Sequence, residues 1–257
     1  MSEINIPIAV TGPGTQPAEL DGAELDILQL PSGMETYESP ILPEPEEVVA
    51  LSAAKRRLID LAERLNGYDG HSGAVAAIDL GGLDAANREL VDQVLGEGEV
   101  SIRFEGDVRA RIQESVLAGV WRVRYLDADG QVLRDTVEVG EVPSLLVDRA
   151  FAGAATRVGG ELEDPPEGVL NAPSLLTELN DKVGTYQQGD GSHVINLTLL
   201  PQTEQDLAFL DERLGKGSVT VLSRGYGNCR ISSTNTRHVW WVQYFNSQDK
   251  NILNTLE

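Results

Sequence analysis

The segment "GKGSVTVLSRGYGNCRISSTNTRHVWWVQYFNSQDKNILNTLE", residues 215–257, lies without a gap over residues 96–138, "GEGEVSIRFEGDVRARIQESVLAGVWRVRYLDADGQVLRDTVE". The offset between them is a constant 119 and extends back to Asp92 and Asp211. The identical pairs include Gly96/Gly215, Gly98/Gly217, Gly106/Gly225, Arg111/Arg230, Ile112/Ile231, Trp121/Trp240, Val123/Val242, Tyr125/Tyr244, Thr136/Thr255 and Glu138/Glu257. Rare residue types seldom coincide by chance in one register, so the chain contains two copies of one module.

Composition divides the chain into four parts. Residues 1–48 hold ten acidic residues, seven prolines and no basic residue, which predicts an extended acidic arm. Its apolar patches "LDILQLP" and "YESPILPEPE" suit either packing on the chain itself or docking on a partner. Residues 49–158 form the first module, residues 159–173 a linker rich in Gly, Pro and acid, and residues 174–257 the second module.

Both modules are predicted to be α+β. Apolar residues recur at helical spacing near the start of each copy, in Leu58, Leu61 and Leu65 and in Leu176, Leu179 and Val183. A short strand and a second helix follow, with Asp84 or Thr203 as the N-cap and a glycine at the helix end. Later strands joined by short polar turns indicate a mainly antiparallel sheet with helices packed on one face. Residues 143–155 are predicted to add a short helix to the first module.

Charge and cysteine content limit the classes of partner. The chain carries 20 Lys and Arg against 41 Asp and Glu, a net charge of -21, which disfavours nucleic acid and anionic membrane surfaces. Its single cysteine, Cys229, excludes an internal disulfide and favours a reducing compartment, so we expect a cytoplasmic location. No apolar run approaches the length of a membrane span, so direct membrane insertion is not expected.

The two faces of one strand differ between the copies. Trp121, Val123 and Tyr125 share a face, as do their identical counterparts in the second copy, and this shared face is predicted to be core. The opposite face diverges: Trp241 and Phe245 replace Arg122 and Leu126. These two aromatic residues are expected either to pack between the modules or to belong to a surface that binds another protein.

The second copy also diverges in "SRGYGNCRISSTNTRHVWW", residues 223–241. Gly225 and Gly227 flank Tyr226 and permit positive backbone dihedrals or close approach of another chain. Arg237 and His238 are basic residues in a very acidic protein. The candidate partner-binding residues are Gly225, Tyr226, Gly227, Cys229, Arg237, His238, Trp241 and Phe245.

Catalytic and metal chemistry find little support. Cys229 with His238 resembles a thiolate pair, but an ordinary buried thiol is the simpler interpretation. One cysteine and three histidines do not supply a usual zinc or iron–sulfur ligand set within one chain. Phosphate-binding, dinucleotide-binding and nucleophile-elbow motifs are absent from the sequence. We therefore predict a binding or assembly protein, not an enzyme, with no catalytic residue, metal or cofactor.

Two stretches resemble a known family: "SGMETYESPILPEPEE" near the N-terminus and "GYGNCRISSTNTRHVWWVQYFNSQDKNILNTLE" at the C-terminus. They are similar to the HupH/HyaF/HoxQ family of accessory proteins for nickel–iron uptake hydrogenases. The resemblance implies a cytoplasmic maturation chaperone for the hydrogenase small-subunit precursor, the iron–sulfur subunit with a twin-arginine export signal. Other hydrogenase accessory proteins are possible further partners.

Two other functions remain open from the sequence. In the first, Cys229 from two chains shares a metal or iron–sulfur cluster across a dimer interface, which requires an exposed thiol. In the second, the cleft between the modules binds a small substrate, which requires a polar-lined cleft.

Overall fold

A computed structural model describes residues 42–70, 75–160, 164–187, 189–225 and 227–257. Most of the predicted acidic arm, and Tyr226, lie outside the described residues. The helices are α1 (Ser52–Gly67), α2 (Ala85–Leu95), α3 (Ser144–Arg149), α4 (Ala172–Thr185) and α5 (Glu204–Leu214). The strands are β1 (Val75–Asp79), β2 (Val100–Glu105), β3 (Arg109–Glu114), β4 (Val120–Leu126), β5 (Val132–Val139), β6 (Ile195–Asn196), β7 (Lys216–Ser223), β8 (Asn228–Thr234), β9 (Trp240–Phe245) and β10 (Asn251–Leu256).

The two modules share one sheet. Its strand order is β1-β5-β4-β3-β2-β7-β8-β9-β10-β6, and every neighbouring pair is antiparallel. The modules meet where β2 pairs with β7, and there Ile102 lies opposite Val221, its own equivalent at the offset of 119. A pseudo-twofold axis therefore passes through this residue pair, perpendicular to the sheet.

Four helices cover one face of the sheet. Residues of α1 and α2 form one core with Val120, Val137 and Val139, and residues of α4 and α5 form another with Val239 and Leu256. The α+β class and the helix-covered face are confirmed. The predicted short helix is observed as α3, which packs on the opposite face of the first module. No helix among the described residues is long and apolar enough to cross a bilayer.

The predicted N-caps of the second helices are present. The carboxylate of Asp84 accepts the backbone N–H of Asn87 at 2.9 Å. In the second module, Thr203 and Asp206 cap each other's backbone N–H groups, at 2.9 and 3.0 Å. These caps satisfy backbone donors that the first helical turn leaves unpaired, which is why both helices begin one residue after the cap.

Asp206 also joins the two helices of the second module. Its Oδ1 atom accepts the backbone N–H groups of Leu170, Asn171 and Ala172 at 2.8, 2.8 and 2.9 Å. The side chain is fully buried, and burial alone raises the pKa of a carboxyl group. The four backbone donors outweigh burial, so the pKa of Asp206 lies below its ordinary value. In the first module Asn87 holds the equivalent place and accepts the N–H of Ala54.

The start of α4 bears on the predicted boundary between the linker and the second module. Helix α4 begins at Ala172, two residues before the predicted start of the second module at residue 174. The division into an arm, two modules and a linker otherwise stays a prediction.

Candidate partner-binding surface

The β8–β9 turn carries two exposed basic residues, Arg237 and His238. His238 has a φ of +63°, and its equivalent in the first module is Gly119, with a φ of +76°. A residue with a side chain is strained in this left-handed region, by about 1 kcal/mol. Ala118 likewise corresponds to Arg237. The second module therefore keeps the turn of the first but places a basic pair on it at a cost in backbone energy.

Aromatic rings pack around this turn. The His238 ring lies 4.8 Å from the Tyr186 ring and 5.9 Å from the Phe151 ring, measured between ring centroids. Phe151 also meets Trp240 edge-on at 5.0 Å. We name Phe151, Tyr186, His238 and Trp240 the aromatic cluster. Phe151 belongs to the first module, so the cluster connects the two modules.

A cleft of about 590 Å³ lies beside the aromatic cluster. Its walls are α3, the residues that follow α3, and the β8–β9 turn with Arg237, His238 and Trp240. No pattern in the sequence marks Phe151 or Tyr186 as a site residue. The proximity of Phe151 to His238 depends on how the two modules pair through β2 and β7, whereas that of Tyr186 depends on how α4 packs within the second module.

The β7–β8 turn contains Gly225 and Gly227. Gly227 has a φ of +94°, the positive backbone dihedral predicted for this glycine-flanked turn. A Cβ atom on Gly225 would clash with the carboxylate of Glu99 in the first module, and the N–H of Arg224 donates to the Glu99 carbonyl at 3.1 Å. The chain segment that lies close to Gly225 therefore belongs to the first module.

Cys229 is buried in β8, at 6 % exposure, and pairs across the strands with Tyr244 of β9. Burial raises the pKa of the thiol, and the neighbouring Tyr244 side chain only partly offsets this. The requirement of the cluster-carrier hypothesis, an exposed Cys229, is not met. Among residues 42–70, 75–160, 164–187, 189–225 and 227–257, no group of three or more His, Cys, Asp or Glu side chains is arranged to hold a metal ion.

Trp241 and Phe245 face away from the aromatic cluster. Trp241 is half-buried and packs against the α4–α5 core of its own module, and Phe245 is buried at 7 % exposure. Packing between the modules, one of the two roles expected for Trp241, is therefore not observed. Direct contact of these two side chains with a partner stays a prediction, and their present contacts are internal.

Trp241 and its hydrogen-bond partner occupy positions that an ion pair occupies in the first module. In the first module Arg122 is buried and donates to both carboxylate oxygens of Asp135, at 3.0 and 2.8 Å, and also pairs with Asp92. The equivalents of Arg122 and Asp135 are Trp241 and Asn254, and the Trp241 indole N–H donates to Asn254 Oδ1. An ion pair in one module is thus replaced by a neutral hydrogen bond in the other, at the same place under the helices.

The eight predicted residues do not form one patch. The β7–β8 and β8–β9 turns lie at opposite ends of β8, about 20 Å apart for a seven-residue strand. Arg237 and His238 are exposed at one end, Gly225 and Gly227 lie at the other, and Cys229, Trp241 and Phe245 point into the protein or its core. Tyr226 is outside the described residues.

Fold and surface together define a protein of two homologous α+β modules in one sheet, with an exposed basic turn beside an aromatic-lined cleft. The profile of the family described as "HupH hydrogenase expression protein, C-terminal conserved region" matches residues 51–157 and 169–257, one module in each segment. The chain belongs to this family.

Individual relatives agree with this membership. The chain is 46 % identical over 260 residues to "Hydrogenase expression/formation protein HoxQ" of Cupriavidus necator, covering all of this chain and 89 % of that protein. It is 32 % identical over 235 residues to "Hydrogenase-1 operon protein HyaF" of Escherichia coli, covering 90 % and 80 %. The solved structure of "Hydrogenase expression protein HupH from Thiobacillus denitrificans" is 31 % identical, with a TM-score of 0.33 over 37 % of this chain and 80 % of that one.

Proposed function

We propose that this protein is a cytoplasmic, non-catalytic chaperone in hydrogenase maturation that binds the iron–sulfur small-subunit precursor before assembly and export. The observation that carries this proposal is the family membership over both modules, together with relatives that are named hydrogenase expression or formation proteins. Because Cys229 is buried, binding of a partner protein is better supported than transport of a metal cluster.

Net charge supports a basic partner segment. A protein with a net charge of -21 attracts a basic segment such as a twin-arginine signal over distances limited by the Debye length. Electrostatic attraction of this kind raises association rates and disfavours acidic competitors. We expect complex formation to be faster at low ionic strength.

Within this proposal, the β8–β9 turn makes the specific contact. Strained backbone persists at positions where function selects it, and His238 is strained where the first module has glycine. Arg237 and His238 are exposed, and the aromatic cluster beside them offers apolar surface in a cleft. Gly225 and Gly227 lie at the other end of β8, and Cys229, Trp241 and Phe245 are directed inward, so a direct part for these residues in the contact stays a prediction.

The first module supplies a matched test. The double variant Arg237→Ala, His238→Gly gives the second module the "AG" turn of residues 118–119. We expect the stability of this variant to lie within about 1 kcal/mol of the parent's, because relief of the strained backbone is offset by loss of the ring contacts of His238 and by the flexibility of glycine. We also expect it to retain less than a tenth of the parent's affinity for the small-subunit precursor.

The measurement is co-expression of the tagged protein with the precursor, followed by native mass spectrometry of the purified complex. Leu133→Glu, an exposed position on β5, is the control. A stable double variant that binds the precursor as well as the parent does would refute the role of the turn. If the parent is recovered alone and loaded with iron, the chaperone function itself is refuted in favour of a carrier.

A further inference from the structure

Three arginines of the first module lie directly opposite one another in neighbouring strands. Arg124 of β4 is opposite Arg111 of β3, and Arg111 is opposite Arg103 of β2. Arg124 follows Arg122 by two positions in β4, and Arg122 pairs with Asp92 of α2. The three side chains therefore lie on the face of the sheet that carries α1 and α2. We name Arg103, Arg111 and Arg124 the arginine row.

The carboxylates near the arginine row do not balance its charge. Arg103 pairs with Glu105 at 2.6 Å. Arg124 lies 3.9 Å from Asp135, which already accepts two hydrogen bonds from another arginine. Arg111 is exposed, and among the described residues its guanidinium makes no hydrogen bond or ion pair. Like charges directly opposite each other destabilise a sheet, so an anionic group beside Arg111 would stabilise the row.

The architecture of the module does not require this charge. The equivalent row of the second module is Leu222, Arg230 and Gln243, and it pairs across β7, β8 and β9 in the same way. The same sheet therefore forms with one arginine in the row. The two extra arginines belong to the first module alone, in a chain with 41 Asp and Glu against 20 Lys and Arg. This local excess of positive charge suits the binding of an anionic segment.

We infer that the arginine row binds residues 19–26, "ELDGAELD", of the chain's own acidic arm. This stretch holds four carboxylates in eight residues, and residues 1–41 contain no Lys, Arg or His. Charge complementarity therefore selects the arm as the occupant, because it offers only acidic partners to the row. Of the two roles left open for the arm by its sequence, the inference favours packing on the chain itself.

The described start of the chain lies on the same side of the sheet as the row. Leu51 packs against the α1–α2 core, and the Ala54 N–H donates to Asn87 Oδ1 at 2.9 Å where both helices begin. The path from there to the row, along α2 to Asp92 and across β4 and β3, is about 30 Å or less. The 15 residues between the acidic stretch and Leu42 span up to about 50 Å when extended. The length of the arm therefore permits the contact.

A weak contact is sufficient because the arm is tethered to the row. Exposed ion pairs contribute little individually. A linker of this length, however, holds the two groups at an effective concentration in the millimolar range. The contact depends on salt, since the Debye length falls to about 3 Å at about 1 M ionic strength.

Modification of arginine by phenylglyoxal, followed by mass spectrometry, measures whether the row is covered. The full chain is compared with a full-length variant that keeps the side-chain sizes and removes the four charges: Glu19→Gln, Asp21→Asn, Glu24→Gln and Asp26→Asn. We expect Arg111 to react about threefold or more slowly in the parent than in the variant. The difference is expected to disappear in about 1 M NaCl. Arg56, exposed on α1, is the internal control and is expected to react equally in both.

Photo-crosslinking locates the arm on the surface. A photo-crosslinking amino acid at position 25 of the full chain is expected to label residues 101–126, which include the three strands of the row. The double variant Arg103→Gln, Arg111→Gln is expected to lose most of this labelling. Arg56→Gln removes one exposed arginine from α1 and is expected to leave the labelling unchanged.

Three results would overturn the inference. The first is an equal rate of Arg111 modification in the parent and in the charge-free variant. The second is labelling concentrated at residues 55–57, the basic start of α1. The third is protection of Arg111 that rises with protein concentration, which would assign the contact to the arm of a second copy. No hydrogenase subunit takes part in either assay, so a negative result leaves the proposed function standing.

Discussion

Replacing Asp206 by asparagine tests the buried carboxylate that joins α4 and α5. Asparagine is the residue at the equivalent place in the first module, Asn87, so the substitution preserves size and is tolerated by the module architecture. In the parent protein one carboxylate oxygen accepts three backbone N–H groups at the start of α4. The other oxygen accepts the N–H of Thr203 at 3.0 Å.

The hydrogen bonds of Asp206 determine how much free energy of unfolding the Asp206→Asn variant is expected to lose. The amide oxygen of asparagine keeps the three donors of α4, but its NH₂ group faces the Thr203 N–H and cannot accept it. Loss of a hydrogen bond to a charged group costs about 1.5–3 kcal/mol. Loss of a negative charge at a helix N-terminus adds about 0.3–1 kcal/mol. Asp206→Asn is therefore expected to lower the free energy of unfolding by about 2–4 kcal/mol at pH 7.

The pH dependence gives a second, independent check. The folded-state pKa of Asp206 is lowered, whereas an unfolded aspartate titrates near pH 3.9. A lowered folded pKa contributes stability that is present above the unfolded pKa and is lost as the pH falls through the folded pKa. The difference between parent and variant is therefore expected to stay constant from about pH 7 to pH 5 and to shrink below about pH 4.

Urea denaturation followed by tryptophan fluorescence measures both effects. Glu204→Gln is the matched control, because it removes an exposed charge from the same helical turn and is expected to cost less than about 1 kcal/mol. The reasoning fails if Asp206→Asn is as stable as the control. It fails equally if the deficit is unchanged at pH 3.5.

Other predictions concern the exchanged pair, the thiol and a crowded glycine. Arg122→Trp is expected to cost about 3–5 kcal/mol, because it removes the bidentate partner of Asp135 and leaves only the longer contact with Arg124 at 3.9 Å. Adding Asp135→Asn, as in the second module, is expected to recover at least about 1 kcal/mol in a double-mutant cycle. Cys229 is expected to react with a thiol reagent at least a hundredfold more slowly than after denaturation, with Cys229→Ser as the blank; rapid labelling in the native state would contradict its burial. Gly217→Ala is expected to cost about 2 kcal/mol or more, because the added Cβ would lie 2.6 Å from the Thr234 carbonyl oxygen. Gly67→Ala, where the added Cβ meets open space, is expected to be neutral or stabilising. Thermal unfolding measures both variants.

The internal repeat made much of the fold predictable from the sequence. Identical Gly, Trp and Tyr residues at one offset established two modules, and helical spacing and N-cap residues located α1, α2 and α5 close to their observed bounds. These features are local: a cap, an amphipathic stripe or a turn is determined by residues a few positions apart. The family resemblance from residues 226–257 was confirmed by the family profile for the same reason, since it rests on sequence alone.

The arrangement of the candidate site could not be predicted from local sequence patterns. Three features of the site join residues that are far apart in the chain. They are the pairing of β2 with β7, the contact of Gly225 with Glu99, and the aromatic cluster of Phe151, Tyr186, His238 and Trp240. Such contacts depend on which strand edges meet, a choice that no short pattern encodes.

The sequence by itself determined that there are two α+β modules, which residues they share, and the family to which they belong. Only the tertiary structure decided that the modules form one sheet about a pseudo-twofold axis, that Trp241 and Phe245 face inward, and that Phe151 of the first module packs beside His238 of the second. The physical reason is that a residue's type limits its local conformation, whereas its exposure is decided by the segments that pack against it, and those lie elsewhere in the chain.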